Sequence, residues 1–337
     1  MKKEVFICLF ILSNIIISCQ NQDNKQKCTS DEPVTSASTR QNIIFDTDMG
    51  SDCDDAGALA LLHKYADKGE VNILGVIFSS GKNRYGAGMC DAINTWYGRG
   101  DIPLGQYSGN DVGDVNNYYS MQIATDTVRF PHNITDSAED MLMVYKRILT
   151  NQPDSSVTII TVGHPHALYY LINDAEGIDL VRKKVQKCIS MAGTGTQPGE
   201  CWNFTKCGVA PYISDILERL PTAHYFSGAG TDVLTGHKLL PSTPENNPVR
   251  EAYRLFGNSI SNGRPSWDQI ATLFAVKPEL YSIDSIGSLV KNEDNKTYWD
   301  KNRNNHRHKK VIPLVPAIEL EKMIEELMAE APAGKTD

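Results

Sequence analysis

Five aspartates fall within ten residues of one another, in Asp46-Thr-Asp48-Met-Gly50-Ser-Asp52-Cys-Asp54-Asp55. Carboxylates at that density repel one another, so their crowding calls for a compensating charge. A hard divalent cation is the simplest one, since Ca2+ takes about six to eight oxygen ligands. Ile43-Ile44-Phe45 reads as a strand entering the cluster, and residues 56–67 read as a helix leaving it. The loop then lies beyond the carboxyl end of a strand, where open parallel sheets bind their ligands. The start of the helix adds partial positive charge near Asp54 and Asp55. The alternative is a solvated acidic loop in which Asp54 merely caps the helix.

Three cation-compatible patterns can be compared with the segment. A calcium loop of the EF-hand type needs glycine at its sixth position and glutamate at its twelfth; counted from Asp46 these are Ser51 and Gly57, which excludes it. Asp46-Thr47-Asp48 resembles the opening of the haloacid dehalogenase phosphatases, whose first aspartate is a nucleophile. Gly50 stands at that motif's closing position, however, and the lysine and late acidic motif of those enzymes cannot be placed. The third pattern reads D-x-D-x-G followed by a D-D pair at a helix start, and Asp46, Asp48, Gly50, Asp54 and Asp55 match it in a longer loop. Three later segments agree with that pattern: Thr161-Val162-Gly163-His164-Pro165, Trp202-Asn203-Phe204, and Gly263-Arg-Pro-Ser-Trp267-Asp268-Gln-Ile-Ala. With them the chain resembles the nucleoside hydrolase family from residue 42 to about residue 330.

The resemblance implies hydrolysis of the N-glycosidic bond of ribonucleosides to ribose and free base, with Ca2+ as cofactor. By motif position, Asp48 holds the metal and activates the attacking water as general base. Asp55 is a bidentate metal ligand, Val162 donates its main-chain oxygen, and Asp268 completes the protein ligands. Asp54 contacts ribose hydroxyls and Asp46 orients the loop. Asn203 and Asn83 are placed to grip the sugar, since a carboxamide both donates and accepts; Gly81-Lys82-Asn83 spaces the second differently from the family's Gly-Asn. Many members carry a histidine just before the late aspartate. Here Trp267 stands there, able to stack on a base without donating a proton, and this favours purine nucleosides. Cys201 replaces a family glutamate, with Glu200 one residue out of place, so either the loop shifts or one ribose contact is missing. Asp52 is an additional carboxylate that could displace Asp54 at the sugar, His166-Ala167 replaces the usual Thr-Asn, and His164 and His166 are second-rank acid candidates. The changed Cys201 position and the missing histidine keep open a non-catalytic ribose- or nucleoside-binding lipoprotein.

The elements that must position these residues alternate. Strands are expected at 71–78, 156–162, 185–191 and 223–227, with helices at 86–97, 137–150, 209–220, 248–257, 268–276 and 316–330. Such alternation points to an α/β fold, a single domain with a central, mostly parallel sheet flanked by helices. The resemblance adds that this sheet is Rossmann-like. The polar stretch 291–310 reads as a surface excursion.

Composition sets the outer bounds. The 337 residues are 41% hydrophobic and 22% charged with a formal net charge of −8, which excludes wholesale disorder and a polytopic membrane protein. The acidic balance argues against a nucleic-acid partner. Eight cysteines include no CxxC pair, so neither a zinc ribbon nor a thioredoxin-type site is encoded. Lys2 and Lys3 precede an apolar run from Val5 to Ile17, too short to span a membrane comfortably and suited to a signal peptide. Ile16-Ile17-Ser18-Cys19 resembles a bacterial lipobox, which implies lipid on Cys19 and anchorage in the bacterial cell envelope. The expected organisation is a signal at 1–18, a flexible tether at 19–41, the domain at 42–331 and a tail at 332–337. Cys201 and Cys207 are the closest cysteines of the domain in sequence, though spacing alone cannot establish a bond between them. The resemblance is compatible with a homo-oligomer.

Overall fold

The computed structural model describes residues 40–334. The expected signal at 1–18, Cys19 and all but the end of the expected tether lie outside the described residues. Within them, thirteen strands follow in chain order: β1 Gln41–Thr47, β2 Val71–Phe78, β3 Leu104–Gln106, β4 Glu139–Asp140, β5 Val157–Thr161, β6 Val185–Met191 and β7 Ala223–Ser227. After these come β8 Leu234–Thr235, β9 Arg264–Pro265, β10 Tyr281–Asp284, β11 Ser288–Lys291, β12 Thr297–Asp300 and β13 His308–Pro313. Nine of them form one sheet in the order β10-β13-β7-β6-β5-β1-β2-β3-β4, parallel throughout except for the antiparallel edge strand β10. Helices cover both faces in a single α/β domain, as the alternation of elements predicts.

The central strands are apolar on both sides because both sides are covered. Ile43 and Phe45 of β1 join one buried cluster with Val76 and Phe78 of β2, under the helices Asp54–Asp67 and Trp267–Val276. Ile44, Ile77 and Ile159 face the other way, into a cluster with Val144, Leu168 and Ile213. Strand β1 pairs with β2 on one side and β5 on the other. The chain runs outward from β1 through β2, β3 and β4, then returns to β5 and builds in the opposite direction. Between β1 and β5 the strand order therefore reverses, and the crevice beyond their carboxyl ends is where such sheets bind ligands.

Two expectations need correction. Gln41, assigned above to the tether, already belongs to β1. The stretch 291–310 is not a mere excursion: it holds the second strand of the β11–β12 hairpin and the start of β13, which lies inside the main sheet between β10 and β7. These strands are near the edge and only half covered. His308 and Val311 are the buried residues of β13, so its sequence looks polar.

Candidate active site

Both loops that matter leave the sheet at the reversal point. The acidic loop follows β1 directly, and Val162-Gly163 follows β5. The amides of Val162 and Gly163 both donate to the Asp46 carbonyl, at 2.8 and 3.3 Å, closing the two strand ends together. Gly163 is required there, since a Cβ would lie 2.2 Å from the Asp48 nitrogen. Gly50 turns the acidic loop at φ +109°, a conformation closed to most side chains.

A network of hydroxyls holds the loop. Tyr145 donates to Asp46 Oδ2 at 2.9 Å, Ser51 donates to Asp48 Oδ2 at 3.0 Å, and Thr47 donates to Asp55 Oδ1. Tyr119 accepts from the Gly50 amide at 3.1 Å and donates to the Asp52 carbonyl at 2.7 Å. None of these hydroxyl partners was singled out from sequence, where nothing marks one tyrosine or serine among many.

Asp55 and Asp268 arrive from different helices. The helix Trp267–Val276 packs on the helix Asp54–Asp67 so that their first turns meet, and neither helix is capped by the side chain of its own N-cap residue. Two helix starts thus face one cluster, where their partial positive charge offsets some carboxylate repulsion. Asp52, Asp55 and Asp268 offer oxygens that all lie within 4.8 Å of one another. Asp46, Asp48, Asp54, Asp55 and Asp268 are all buried, which rules out a solvated loop. Cys53, not Asp54, stands at the N-cap position of the first helix.

Burial without full compensation raises the carboxyls. It pushes Asp46 up to about 8 and Asp48 up to about 7, and lifts Asp55 and Asp268 well above the usual carboxylate range, with neighbouring charges adding to the effect. Asp55 Oδ2 and Asp268 Oδ1 have no hydrogen-bond partner among the described residues. Buried, unpartnered oxygens converging on one point fit a cation, and an all-oxygen donor set suits a hard divalent ion better than zinc. The Val162 carbonyl is also present, although it already accepts a hydrogen bond from Asn203 Nδ2. A carbonyl has a second lone pair, so this contact leaves room for a metal.

Above the cluster lies a cavity of about 430 Å³. Asp48, Asp52 and Asp268 form its acidic end, while Tyr118, Trp202, Phe256 and Trp267 supply aromatic walls. Val162 and Asn203 also line it.

No protein-family model matches the chain, and no curated protein matches it. Solved structures do. A plant nucleoside hydrolase superposes with a TM-score of 0.63 at 16% identity, covering 86% of this chain and 99% of its own. An inosine-uridine preferring nucleoside hydrolase from Bacillus anthracis gives 0.66 at 14% identity, covering 86% and 99%. An inosine-guanosine nucleoside hydrolase gives 0.64 at 15% identity, covering 87% and 99%. The fold is that of the nucleoside hydrolases.

On this nucleoside hydrolase fold the structure sorts the residues singled out from sequence. Asp48, Asn203, Trp267, Asp268 and the Val162 carbonyl come together at the cavity, and Asp55 lies just beneath. Asp54 and Asn83 do not line it. Asp54 is bound by Arg264, and Asn83 packs under the loop, donating to Ser120 Oγ at 3.0 Å and accepting from the Tyr85 amide at 3.0 Å. Trp267 is fixed by its indole N–H, which donates to Thr231 Oγ1 at 3.0 Å.

The two second-rank histidines are removed from the cavity. His164 Nε2 comes within 3.4 Å of Asp48 Oδ2, but burial holds the ring down to about 4 and no hydrogen bond forms, so the contact is neutral packing. His166 is held near 3 by burial and packs edge-on against Tyr107. Cys201 and Cys207 are both free thiols. Arg264 carries no mark in the sequence; only the fold brings it to the acidic loop, 212 residues from Asp52.

Proposed function

We propose that the chain is a nucleoside hydrolase, cleaving the N-glycosidic bond of ribonucleosides, purine nucleosides by preference, to ribose and free base with calcium as cofactor. The observation that carries this reading is the set of converging, unpartnered buried oxygens of Asp55 and Asp268 at the reversal point of a nucleoside hydrolase sheet. Asp48, Asp55, Asp268 and the Val162 carbonyl would hold the ion. When bound, a divalent cation lowers the pKa of a coordinated water.

The remaining chemistry belongs to the chain. Asp48, steadied by Ser51, takes the proton of the attacking water. Nearby carboxylates stabilise the positive charge that develops on the ribosyl carbon as the bond to the base breaks. Asn203 is positioned to meet sugar hydroxyls. Trp267 holds the place of the missing histidine beside Asp268, so the aromatic walls stack the departing base and solvent protonates it. Planar walls of this size suit a purine.

The decisive experiment incubates purified protein with inosine, adenosine, guanosine and uridine, with and without chelator. Base release that chelator abolishes is expected, fastest for the purines. Retention of intact nucleoside across the panel supports the binding protein instead, a reading favoured by the lack of an acid at Trp267. We also propose that Cys19 carries lipid and places the protein in the cell envelope.

A further inference from the structure

Asp52 and Asp54 compete for one role on the loop, and their surroundings separate them. Asp54 is 1% exposed and both its oxygens are engaged. Its Oδ1 accepts from Arg264 Nε at 3.0 Å, and its Oδ2 accepts from the Asp268 backbone N–H at 3.3 Å. Asp52 instead lines the cavity, with an oxygen inside the 4.8 Å group it forms with Asp55 and Asp268. What divides them is Arg264. While its Nε holds Asp54, its Nη2 donates to Asp52 Oδ2 at 2.6 Å. A planar guanidinium can make this two-pronged grip, and a lysine cannot. The group is itself fixed, with its central carbon 5.1 Å from the Phe256 ring and 5.0 Å from the Trp267 ring.

We infer that Asp52, rather than Asp54, is the additional loop acid that joins Asp48 at the cation, and that Arg264 is the positioning residue that assigns the two. This rests on the cation site proposed above. Asp55 and Asp268 each keep a buried, unpartnered oxygen and group with Asp52 within 4.8 Å, whereas Asp54 lies outside that group with each oxygen already held by a donor. Arg264 does more than hold geometry. Without a cation it is the resident counter-charge of Asp52, and an incoming ion must share that carboxylate with it. Arg264 therefore tunes affinity downward and keeps Asp54 as fixed scaffolding.

Calorimetric titration of calcium chloride into the full chain tests this, independently of any turnover. Asp52→Asn is expected to weaken calcium binding by at least about tenfold, because ligand charge sets affinity in oxygen-donor sites. Asp54→Asn is expected to leave calcium affinity unchanged while lowering thermal stability, since Arg264 then faces a neutral partner. Arg264→Gln removes a positive charge and frees Asp52, so calcium should bind several-fold more tightly. A purely structural arginine would give weaker binding on removal. Equal losses in the two aspartate variants, weaker binding in Arg264→Gln, or no calcium binding by the unsubstituted chain would each overturn the inference. If calcium binds with the expected order and no base is released, the inference stands and the hydrolase reading falls. If base is released with the order reversed, the opposite holds.

Discussion

Among single residues, Asp48 and Trp267 bear the two halves of the proposed reaction, and each can be tested alone. Asp48 lies at the acidic end of the cavity with one oxygen held by Ser51. Asp48→Asn should lower kcat by about 10²–10⁴-fold, the usual worth of a positioned general base. Circular dichroism should show the fold retained, and a rate within a few-fold of the parent would exclude the role. Trp267 contributes a stacking face. Trp267→Ala should cost roughly 2–10-fold in kcat/KM on purine nucleosides, as the loss of an aromatic pair predicts, and Trp267→Phe should recover most of it. Equal losses in the two variants would show that the indole is needed for its Thr231 hydrogen bond rather than for its ring. At this scale most of the site was legible, because aspartates crowd only for a reason. Arg264 was not, since one arginine among 33 basic residues carries no mark until its neighbours are known.

Secondary-structure elements explain why the site is where it is. Strands β2 and β7 and the helix from Gly86 could be read almost to the residue, because buried parallel strands are uninterrupted apolar runs and the helices repeat their apolar face. The two-residue strand β4 and three-residue β3 are too short to leave a pattern. The helix expected from 137 starts at Met141, where Asp140 caps it by accepting from the Leu142 and Met143 amides. The meeting of β1 and β5 is the element-level feature on which the site depends, and Gly163 permits it. Gly163→Ala places a methyl against the Asp48 backbone and should cost about 1–3 kcal/mol in stability, the usual penalty for overpacking. The same change should shift the acidic loop and weaken calcium binding. Urea midpoints and calorimetry measure the two effects, and a variant as stable as the parent would show that the strand ends have room to part.

Viewed as a whole molecule, the domain carries a set of histidines buried in neutral form. Burial holds His63 and His166 down to about 3, against an ordinary value of 6.5. A base whose folded pKa is depressed contributes stability that is fully present above its unfolded value and is lost as pH falls toward the folded one. Between pH 6.5 and pH 4 these two histidines therefore lose stability, roughly 2 kcal/mol each by pH 5, while the buried carboxyls, pushed up by burial, contribute in the opposite sense. Urea midpoints of the parent and of His63→Gln at pH 7 and pH 5 isolate the histidine, and a stability difference between the two proteins that does not change with pH would refute its share. The proposed anchor makes a separate prediction: with Cys19→Ser the protein should leave the membrane fraction and become soluble, while the isolated domain keeps its activity. The contact between the first turns of two helices also bears on how the chain acquires its fold. The Asp54–Asp268 hydrogen bond spans 214 residues of sequence. A chain emerging amino end first exposes its acidic loop long before Asp268 exists to meet it. Closing so long a loop is slow and comes late in folding. Cation capture then becomes a report that synthesis and folding are complete, and a truncated chain would carry the aspartates without the grip.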